Sequence, residues 1–254
     1  MIKISAVIIT YNEEINIGRC LDSLTETMDE IIVIDSFSTD KTEEICSKYP
    51  VKFIKKEWLG YSLTKNFGNN LAANDYIFSI DADEALSEEL KASILAVKNT
   101  NKPLDAYKLT RLTNYCGTWI HHCGWYPDTK LRLWDRTKGQ WEGDIHEEVK
   151  LKENSKTGML NGDLFHYSFH TITQHVKQAD KFTDLTAQDA FNKGKRSNLM
   201  KILLKPCVKF IRDYIIKLGF LDSYHGYVVC KISAFATFMK YSKLKELQRK
   251  EKSL

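Results

Sequence analysis

The sequence predicts an α/β protein with a Rossmann-like, mainly parallel sheet flanked by helices and a helical, basic C-terminal extension. Over the first hundred residues, short β-branched apolar runs alternate with helical patterns of apolar side chains. Such alternation is typical of parallel strands joined by right-handed helical crossovers. From residue 171 onward the pattern is helical and increasingly basic. We therefore expect an α/β domain over residues 1–170 and a helical region over residues 171–254.

Four strands and four helices are expected in the first hundred residues. The apolar runs predict strands at 4–9, 31–34, 51–54 and 76–80. Side-chain oxygens suited to capping a first helical turn are provided by Asn12, by Thr39 or Asp40, and by Ser87. The side chains expected to face the core recur every three or four residues: Ile17, Cys20, Leu21 and Leu24, then Ile45, Cys46 and Tyr49, then Leu63, Phe67 and Leu71, then Leu90, Ile94 and Val97.

Helices are also expected throughout the C-terminal region. One helix is indicated by Ala179, Phe182, Leu185 and Ala190, with a break at residues 193–196. Pro206 is expected to divide the following stretch into two segments, because proline removes a backbone hydrogen bond from a helix. Further helices are expected at 227–241 and 240–252.

The composition indicates a folded globular protein. Of the 254 residues, 43% are apolar and 28% are charged, which excludes disordered and fibrous classes. The six cysteines lack the spacing of a disulfide framework, so we expect reduced thiols in a cytoplasmic protein. Asn12 follows the first apolar run too soon for a secretory signal, and Lys231 interrupts the best candidate for a membrane span.

The charges are divided unevenly along the chain. Residues 1–90 contain 8 lysines and arginines against 17 acidic residues, whereas residues 191–254 contain 15 against 4. The acidic front suits a cation, and the basic tail suits an anionic partner. Because apolar and basic side chains alternate over 199–221, one prediction is that the tail lies on an anionic membrane surface. The alternative is that it covers the first domain with a solvated basic face.

Three polar residues fall at the ends of predicted parallel strands. Thr10, Asp35 and Asp81 should therefore converge on one crevice, because ligands in such sheets bind outside the carboxyl ends of the strands. The sequence contains neither G-x-G-x-x-G after the first strand nor a G-x-x-x-x-G-K-[ST] motif. These absences disfavour a dinucleotide-binding enzyme and a P-loop nucleoside triphosphatase.

The segment Asp81-Ala-Asp83-Glu84 is a dense cluster of acidic residues. Two carboxylates at i and i+2, where a strand gives way to a loop, can hold a hard divalent cation such as Mg²⁺ or Mn²⁺ and leave positions open for a diphosphate. The alternative is an acidic turn that caps the helix beginning at Ser87.

Several motifs together resemble family 2 glycosyltransferases, which have the GT-A fold. These are Ala6-Val-Ile-Ile-Thr10-Tyr-Asn12-Glu13-Glu14, Val33-Ile-Asp35-Ser-Phe-Ser-Thr39-Asp40, Lys65-Asn66 and Asp81-Ala-Asp83. Later segments resemble the branch that adds a β-1,4-glucosyl group to the lipopolysaccharide core. These are Lys130-Leu-Arg-Leu-Trp, Gly143-Asp-Ile-His146-Glu147, His166-Tyr-Ser-Phe, Phe210-Ile-Arg-Asp-Tyr-Ile and Gly219-Phe-Leu-Asp222.

The resemblance implies roles for individual residues. It places Thr10, Tyr11 and Glu13 along a nucleotide pocket, and it implies that Asp35 accepts hydrogen bonds from the base, typically uracil, or from the ribose. Lys65 would contact the base or a phosphate. Asp81 and Asp83 would hold the metal and the ribose–diphosphate, with His166 completing the metal shell. The chain departs from the family at Asp35-Ser-Phe-Ser, where Asp-Asp-Gly-Ser is frequent, and at Lys65, where many relatives have arginine.

The implied reaction moves a sugar, glucose or another hexose, from a UDP-sugar to a saccharide acceptor of the lipopolysaccharide or lipooligosaccharide core or of another cell-surface glycan. In-line attack by the acceptor hydroxyl inverts the anomeric centre and needs a general base. The acid-rich segment 143–148 resembles the segment that supplies this base. We expect Glu147 to serve, with Asp144 and Glu148 as alternates and His146 as an orienting or phosphate-contacting neighbour. The alternative is a charged loop without catalytic function.

The segment 116–127 combines aromatic residues with two cysteines and two histidines. It lacks the paired spacing of a zinc site, so a zinc role is disfavoured. Trp119, Trp125 and Tyr126 are candidates for stacking on an acceptor sugar, and core packing is an equal alternative. Two other classes also stay open: a metal-dependent nucleotidyltransferase and a nucleic-acid-binding module using the basic tail. No nucleic-acid-binding motif is present, so no nucleic-acid partner is expected. A lipid-linked acceptor favours a position on the inner face of the cytoplasmic membrane.

Overall fold

The computed structural model describes residues 1–143 and 147–252, and the chain divides into two compact units. The first unit contains Met1–Leu112 and Asp128–Tyr167. The second contains Thr113–Pro127 together with the chain from Ser168 onward. The predicted parallel strands therefore lie in the first unit, and the basic helical region lies in the second.

A parallel sheet forms half of the first unit. Its strands are β1 (Ile4–Thr10), β2 (Glu30–Asp35), β3 (Lys52–Lys55) and β4 (Tyr76–Asp81). They pair in parallel in the order β3-β2-β1-β4, which confirms the predicted α/β class. The register pairs Thr10 with Asp35, and Ile9 with Asp81. The three strand ends therefore meet at one edge of the sheet, as expected.

Antiparallel strands continue the sheet beyond β4. They are β5 (Glu84–Leu86), β6 (Ala106–Tyr115), β7 (Thr118–Ile120), β8 (Asp128–Asp135) and β11 (Thr157–Phe169), and a separate antiparallel pair is formed by β9 (Gly139–Glu142) and β10 (Glu148–Leu151). The order continues β4-β8-β6-β11-β5, and β7 pairs with the end of β6 that belongs to the second unit. Charged residues interrupt the apolar pattern of these strands, so the sequence does not predict them.

The predicted helices of the first unit are present, with altered starts. They are α1 (Ile17–Leu24), α2 (Thr42–Cys46), α3 (Tyr61–Asn70) and α4 (Glu88–Lys98). The expected cap at Asn12 is wrong, because α1 begins five residues later and Asn12 has a φ of 55°. Its side chain instead accepts a hydrogen bond from the Thr39 amide at 2.8 Å. The cap at Ser87 is confirmed, since its hydroxyl accepts from the Leu90 amide at 3.2 Å.

The second helix is shorter than its sequence suggests. The residue before α2 is Lys41, so neither Thr39 nor Asp40 occupies the expected cap position. The Asp40 carboxylate still accepts a hydrogen bond from the Thr42 amide at 2.9 Å. Because α2 ends at Cys46, Tyr49 lies beyond the helix and donates its hydroxyl to Asp22 at 2.8 Å.

Helix α3 buries polar residues beside part of its predicted apolar face, since Phe67 and Leu71 pack against the core and Leu63 does not. Leu63 is 62% exposed, whereas Lys65 and Gly68 are buried. The reason is close packing on the sheet: a Cβ on Gly68 would lie 2.5 Å from Val7 and 3.0 Å from Ile34. On another side of α3, the Asn66 amide exchanges two hydrogen bonds with the Trp141 backbone.

Apolar layers cover both faces of the sheet. The strand alternation directs Ala6 and Ile8 to one face and Val7 to the other. The first face packs against the predicted stripe of α1, and its buried members include Ile17, Cys20, Leu21, Leu24, Phe78, Leu90 and Ile94. The second face contains Val7, Ile32, Ile34, Ile77, Trp134 and Trp141.

The second unit is largely helical. Its long helices are α5 (Ile172–Asn192), α6 (Leu199–Ile211) and α7 (Ser223–Lys252), with a π-helical turn at Arg212–Ile216 and a 3₁₀ turn at Gly219–Asp222. A reciprocal capping box of Thr171 and Gln174 begins α5. The helix predicted from Ala179, Phe182, Leu185 and Ala190 is confirmed as part of α5, in which Phe182 is 46% exposed and Thr183 is buried.

Two predicted helix boundaries in the second unit are wrong. Pro206 lies inside α6, since the loss of one hydrogen bond to the carbonyl of Ile202 leaves the helix continuous. The segments expected at 227–241 and 240–252 form the single helix α7. Within the described ranges, no helix combines the length and the apolar character that crossing a bilayer requires.

We predict that Gly68→Ala will lower the free energy of unfolding by about 1–3 kcal/mol, because the added methyl group overpacks the contact of α3 with Val7 and Ile34. Gly18→Ala in α1 is the matched control, since its Cβ would meet Ile45 at an ordinary 3.6 Å. Helix propensity should make this control neutral or stabilising. Urea unfolding of both variants measures the difference, and equal stabilities would contradict the packing argument.

Candidate active site

The residues predicted to bind a nucleotide surround the ends of β1 and β2. Asp35 is fully buried, and its carboxylate accepts hydrogen bonds from the Ser38 amide at 2.9 Å and from the Ser38 hydroxyl. Thr10 is buried beside it, and its hydroxyl oxygen has no hydrogen-bond partner among the residues described. Tyr11 is 59% exposed at the entrance to this edge. These positions form a polar cluster at the ends of β1 and β2, and it includes an unsatisfied hydroxyl.

Glu13 connects this polar cluster with the acidic end of β4. Its amide donates to the Thr42 hydroxyl at 2.9 Å, and its carboxylate accepts from the Asn16 side chain at 2.8 Å. Burial is the main cause of a raised pKa at Glu13; the Asn16 hydrogen bond opposes it and the charge of Asp83 adds to it. The negative charges of Glu13, Asp81 and Asp83 at this edge therefore repel one another.

A buried set of ionic contacts holds Asp81. The Lys65 ammonium lies 3.1 Å from one carboxylate oxygen, and the Arg132 guanidinium donates to the other at 2.9 Å. The side chains of Lys65 and Arg132 are only 3% and 4% exposed. Burial by itself raises the pKa of Asp81, but the positive charges of Lys65 and Arg132 outweigh it and hold that pKa well below its usual range.

The same set of ionic contacts extends to β5, β6 and β8, which the sequence did not connect with the site. Glu84 is fully buried and accepts from Arg132 at 2.8 Å and from Arg111 at 3.2 Å. Arg111 also donates to Asp128 at 2.8 Å. Burial by itself lowers the pKa of the Arg132 guanidinium. The negative charges of Glu84 and Asp81 raise that pKa by a larger amount, so it lies above its usual value. A charged residue flanked by Leu131 and Leu133 in an apolar run was the available signal for Arg132.

Asp83 faces a histidine instead of joining these contacts. The Nε2 atom of His166 on β11 lies 3.2 Å from an oxygen of Asp83. The Nδ1 atom of His166 is buried without a hydrogen-bond partner in the described structure. An oxygen and an imidazole nitrogen at this separation are suitable ligand atoms for Mn²⁺ or a similar divalent cation. Asp81 does not join them, and no group of three candidate metal ligands occurs among the residues described.

Glu147 is brought to the same edge by Lys65. Its carboxylate lies 3.5 Å from the Lys65 ammonium, and its side chain is 22% exposed. That ammonium also sits 4.4 Å from the ring centre of Trp141, which completes its surroundings. Glu148 begins β10 and is exposed. The other two candidates in this segment, Asp144 and His146, lie outside the described residues.

A cleft of about 970 Å³ opens beside these groups. Lys65, Asp81, Arg132, Glu147 and Glu148 line it, together with residues of β8, β9 and β10. Its size is at the upper end of the range for small-molecule sites. The structure therefore places a carboxylate that solvent can reach, and a buried lysine, on the wall of a cavity large enough for a substrate.

The aromatic segment 116–127 belongs to the second unit. Trp125 packs among Tyr115, Phe169 and His175 in the aromatic core of that unit. Tyr126 contacts His121, with ring centres 5.7 Å apart, and Trp119 lies in β7. For Trp125 this environment favours the core-packing alternative. The acceptor role of Trp119, Trp125 and Tyr126 stays a prediction.

We predict that Arg132→Met will destabilise the protein by about 3–5 kcal/mol at neutral pH, because it leaves the fully buried carboxylate of Glu84 and the partly buried carboxylate of Asp81 short of a partner. The pKa of Asp81 is lowered by folding, so its contribution to stability is full above about pH 4 and is lost as the pH falls further. The variant should lose less stability than the wild type over that acidic range.

Lys130→Met is the matched control, two residues along the same strand. Lys130 pairs with Asp128 at 3.1 Å but is 40% exposed, so its loss should cost about 1 kcal/mol or less. Urea unfolding at pH 7 and below about pH 4 compares the variants, and similar costs for both at pH 7 would contradict a buried ionic role for Arg132.

Comparisons with known proteins identify a family of enzymes that the chain resembles. The family model described as glycosyl transferase family 2 matches residues 5–174. An uncharacterized glycosyltransferase of Rickettsia typhi is 33% identical, covering 100% of this chain and 90% of its own. The lipopolysaccharide core biosynthesis glycosyltransferase LpsC of Rhizobium meliloti is 26% identical, covering 95% of this chain and 94% of its own.

Among solved structures, glucosyl-3-phosphoglycerate synthase from Mycobacterium tuberculosis overlaps 42% of this chain and 43% of its own, with a TM-score of 0.38 and 22% identity. No residue role is transferred from this partial overlap. The family model and the R. typhi relative decide the classification, and they confirm the resemblance seen in the sequence motifs. The chain belongs to glycosyl transferase family 2 and has its GT-A fold.

Proposed function

We propose that the protein is an inverting, metal-dependent hexosyltransferase that uses a UDP-sugar donor, with Glu147 as the general base. The observation that carries the proposal is the position of Lys65, whose ammonium contacts both Asp81 and Glu147 at the carboxyl edge of the parallel sheet. Donor binding and acceptor activation are thereby joined through one buried side chain. Family membership supports the reaction class.

The donor is proposed to lie along the edge formed by β1, β2 and β4. Asp35 would accept hydrogen bonds from the uracil or ribose in exchange for those it accepts from Ser38. The unpartnered hydroxyl of Thr10 would donate to the same ligand. The repulsion among Glu13, Asp81 and Asp83 favours a cation on this edge, because a cation offsets the raised pKa and the like charges.

A divalent cation is proposed to bind at Asp83 and His166. Their facing ligand atoms, an Asp83 carboxylate oxygen and the Nε2 nitrogen of His166, fit such an ion. When bound, it would neutralise charge on the diphosphate leaving group. Asp81 is proposed to act differently, by fixing Lys65 and Arg132, because both of its oxygens are already paired.

Glu147 is proposed to take the proton of the acceptor hydroxyl. It combines solvent access with a fixed position, since Lys65 holds its carboxylate at 3.5 Å on the cleft wall. A base at hydrogen-bond distance from the attacking hydroxyl contributes roughly 10²–10⁴-fold to such reactions. Attack on the face opposite the leaving group then gives inversion.

The acceptor is proposed to be a saccharide of the cell envelope. The cleft of about 970 Å³ beside Glu147 has room for a sugar residue and carries polar side chains to bind hydroxyl groups. The relative from R. meliloti, named for lipopolysaccharide core biosynthesis, supports a core saccharide as the acceptor class.

We predict that Glu147→Gln will reduce sugar transfer by about 10²–10⁴-fold while leaving UDP affinity within about twofold, because the amide cannot take a proton but keeps the side-chain shape. Glu148→Gln is the matched control, since Glu148 lines the same cleft without contacting Lys65 in the described contacts. Release of UDP from a panel of UDP-hexoses with a core saccharide acceptor provides the assay. An active Glu147→Gln paired with an inactive Glu148→Gln would move the base to Glu148.

We predict that Asp83→Asn and His166→Ala will each weaken Mn²⁺-dependent UDP binding at least about tenfold, because each removes one proposed ligand of the cation. Asp75→Asn serves as the control, as Asp75 is an exposed acid at the opposite end of β4. Isothermal titration with UDP, with and without Mn²⁺, gives the readout. Unchanged metal dependence in both site variants would remove Asp83 and His166 from the cation site.

A further inference from the structure

The second unit exposes an unusual amount of apolar surface along α6. No residue of this helix is buried. Its large apolar side chains are instead among the most exposed in the protein: Leu199 at 68%, Met200 at 66%, Leu203 at 57%, Leu204 at 52%, Val208 at 59% and Ile211 at 53%. The pairs Leu199/Leu203, Met200/Leu204 and Leu204/Val208 are each four residues apart, and Ile211 follows Val208 by three. The six residues therefore share one broad face of the helix. We name this face the α6 apolar face.

The apolar surface continues past the end of α6. The π-helical turn exposes Ile215 and Ile216 at 52% and 71%, and the 3₁₀ turn exposes Phe220 and Leu221 at 45% and 56%. One edge of the helix is used for packing, because Phe210, two helical turns beyond Leu203, contacts Tyr227 of α7 and lies under the Lys231 ammonium. The helix is therefore attached to the second unit by one side and leaves its apolar face to solvent.

Basic side chains border this face on one side. Lys201, Lys205 and Arg212 are spaced by four and seven residues, which places them in one row along the helix. The wider region 191–254 contains 15 basic residues against 4 acidic ones. An apolar face edged by basic residues matches the interfacial layer of an anionic bilayer, where apolar groups enter the acyl boundary and ammonium groups meet phosphates.

We propose that the α6 apolar face docks the protein on the surface of an anionic lipid membrane. The helix lies parallel to the bilayer, with Leu204, Val208 and Ile211 inserted and with Lys201 and Lys205 at the headgroups. The proposal does not depend on glycosyl transfer, because every residue it uses lies in the second unit.

Liposome cosedimentation of the full chain tests the proposal. Vesicles of phosphatidylglycerol mixed equally with phosphatidylcholine should bind the wild-type protein at low salt, and pure phosphatidylcholine vesicles should bind it much less. In about 0.5 M salt the binding should weaken, because the Debye length becomes short. The Lys201→Gln/Lys205→Gln double variant should bind about 30-fold more weakly, at about fivefold for each charge lost.

The apolar contribution is tested with Leu204→Ser/Val208→Ser/Ile211→Ser, which should weaken binding at least about 100-fold. These positions are already exposed, so the variant should keep its helical content and melting temperature. Leu95→Ser/Met159→Ser/Ile172→Ser is the matched control, because it removes three exposed apolar side chains elsewhere and should bind like the wild type.

Two outcomes would overturn the proposal. The first is that the wild-type protein ignores phosphatidylglycerol vesicles at low salt. The second is that light scattering shows a dimer in solution which the α6 triple variant converts to a monomer, since the face would then be covered by a second copy. UDP-sugar turnover with a soluble acceptor separates this test from the catalytic proposal, because the α6 variants should retain it.

Discussion

The buried guanidinium of Arg132 ties together strands that the chain supplies from distant segments. It lies on β8 and pairs with Asp81 at the end of β4, where the sheet changes from parallel to antiparallel. It also pairs with Glu84 at the start of β5, and Glu84 is shared with Arg111 on β6. Uncompensated charges at this depth would be strongly destabilising, so these strands must keep their relative positions for the charges to stay matched. The position of Lys65 against Asp81 follows from that constraint.

The two aspartates of the Asp81-Ala-Asp83 motif have different roles, although only one residue separates them. Asp81 has a structural role, and Asp83 is available to bind a ligand. Asp81 is saturated by two cations from the protein itself. Asp83, beyond the end of β4, contacts neither Lys65 nor Arg132 in the described ion pairs and faces His166 on β11. A motif that reads as one acidic pair in the sequence therefore contains one anchoring carboxylate and one available carboxylate.

Local patterns were sufficient for the parallel half of the fold and for the meeting of Thr10, Asp35 and Asp81. Strands buried on both faces need continuous β-branched runs, and parallel pairing then puts their carboxyl ends together. The partners of Asp81 could not be found in this way, because Arg132 is 51 residues distant and its pairing depends on how β8 joins the sheet. The identity of the exposed side of α3 was also beyond local patterns, since the closeness of Gly68 to the sheet outweighs the apolar spacing of Leu63.

Local patterns were also insufficient to identify the proposed base. Glu147 and Glu148 are adjacent and chemically alike, so composition alone could not separate them. The contact of Glu147 with Lys65, 82 positions earlier in the chain, separates them in space. The predicted helix boundaries were also partly wrong. Pro206 is tolerated within α6, and Asn12 forms a turn with Thr39 instead of a helix cap.

The absence of a side chain at Gly68 affects how far the side chain of Lys65 can extend into the site. The two residues are three positions apart on the same face of α3, so the depth at which Gly68 seats the helix also sets how far the lysine ammonium extends toward Asp81 and Glu147. Misplacing a reacting group by about 1 Å can cost about 10²-fold in rate. A glycine that touches neither donor nor acceptor thus acts as a spacer, and selection on turnover would keep that position small.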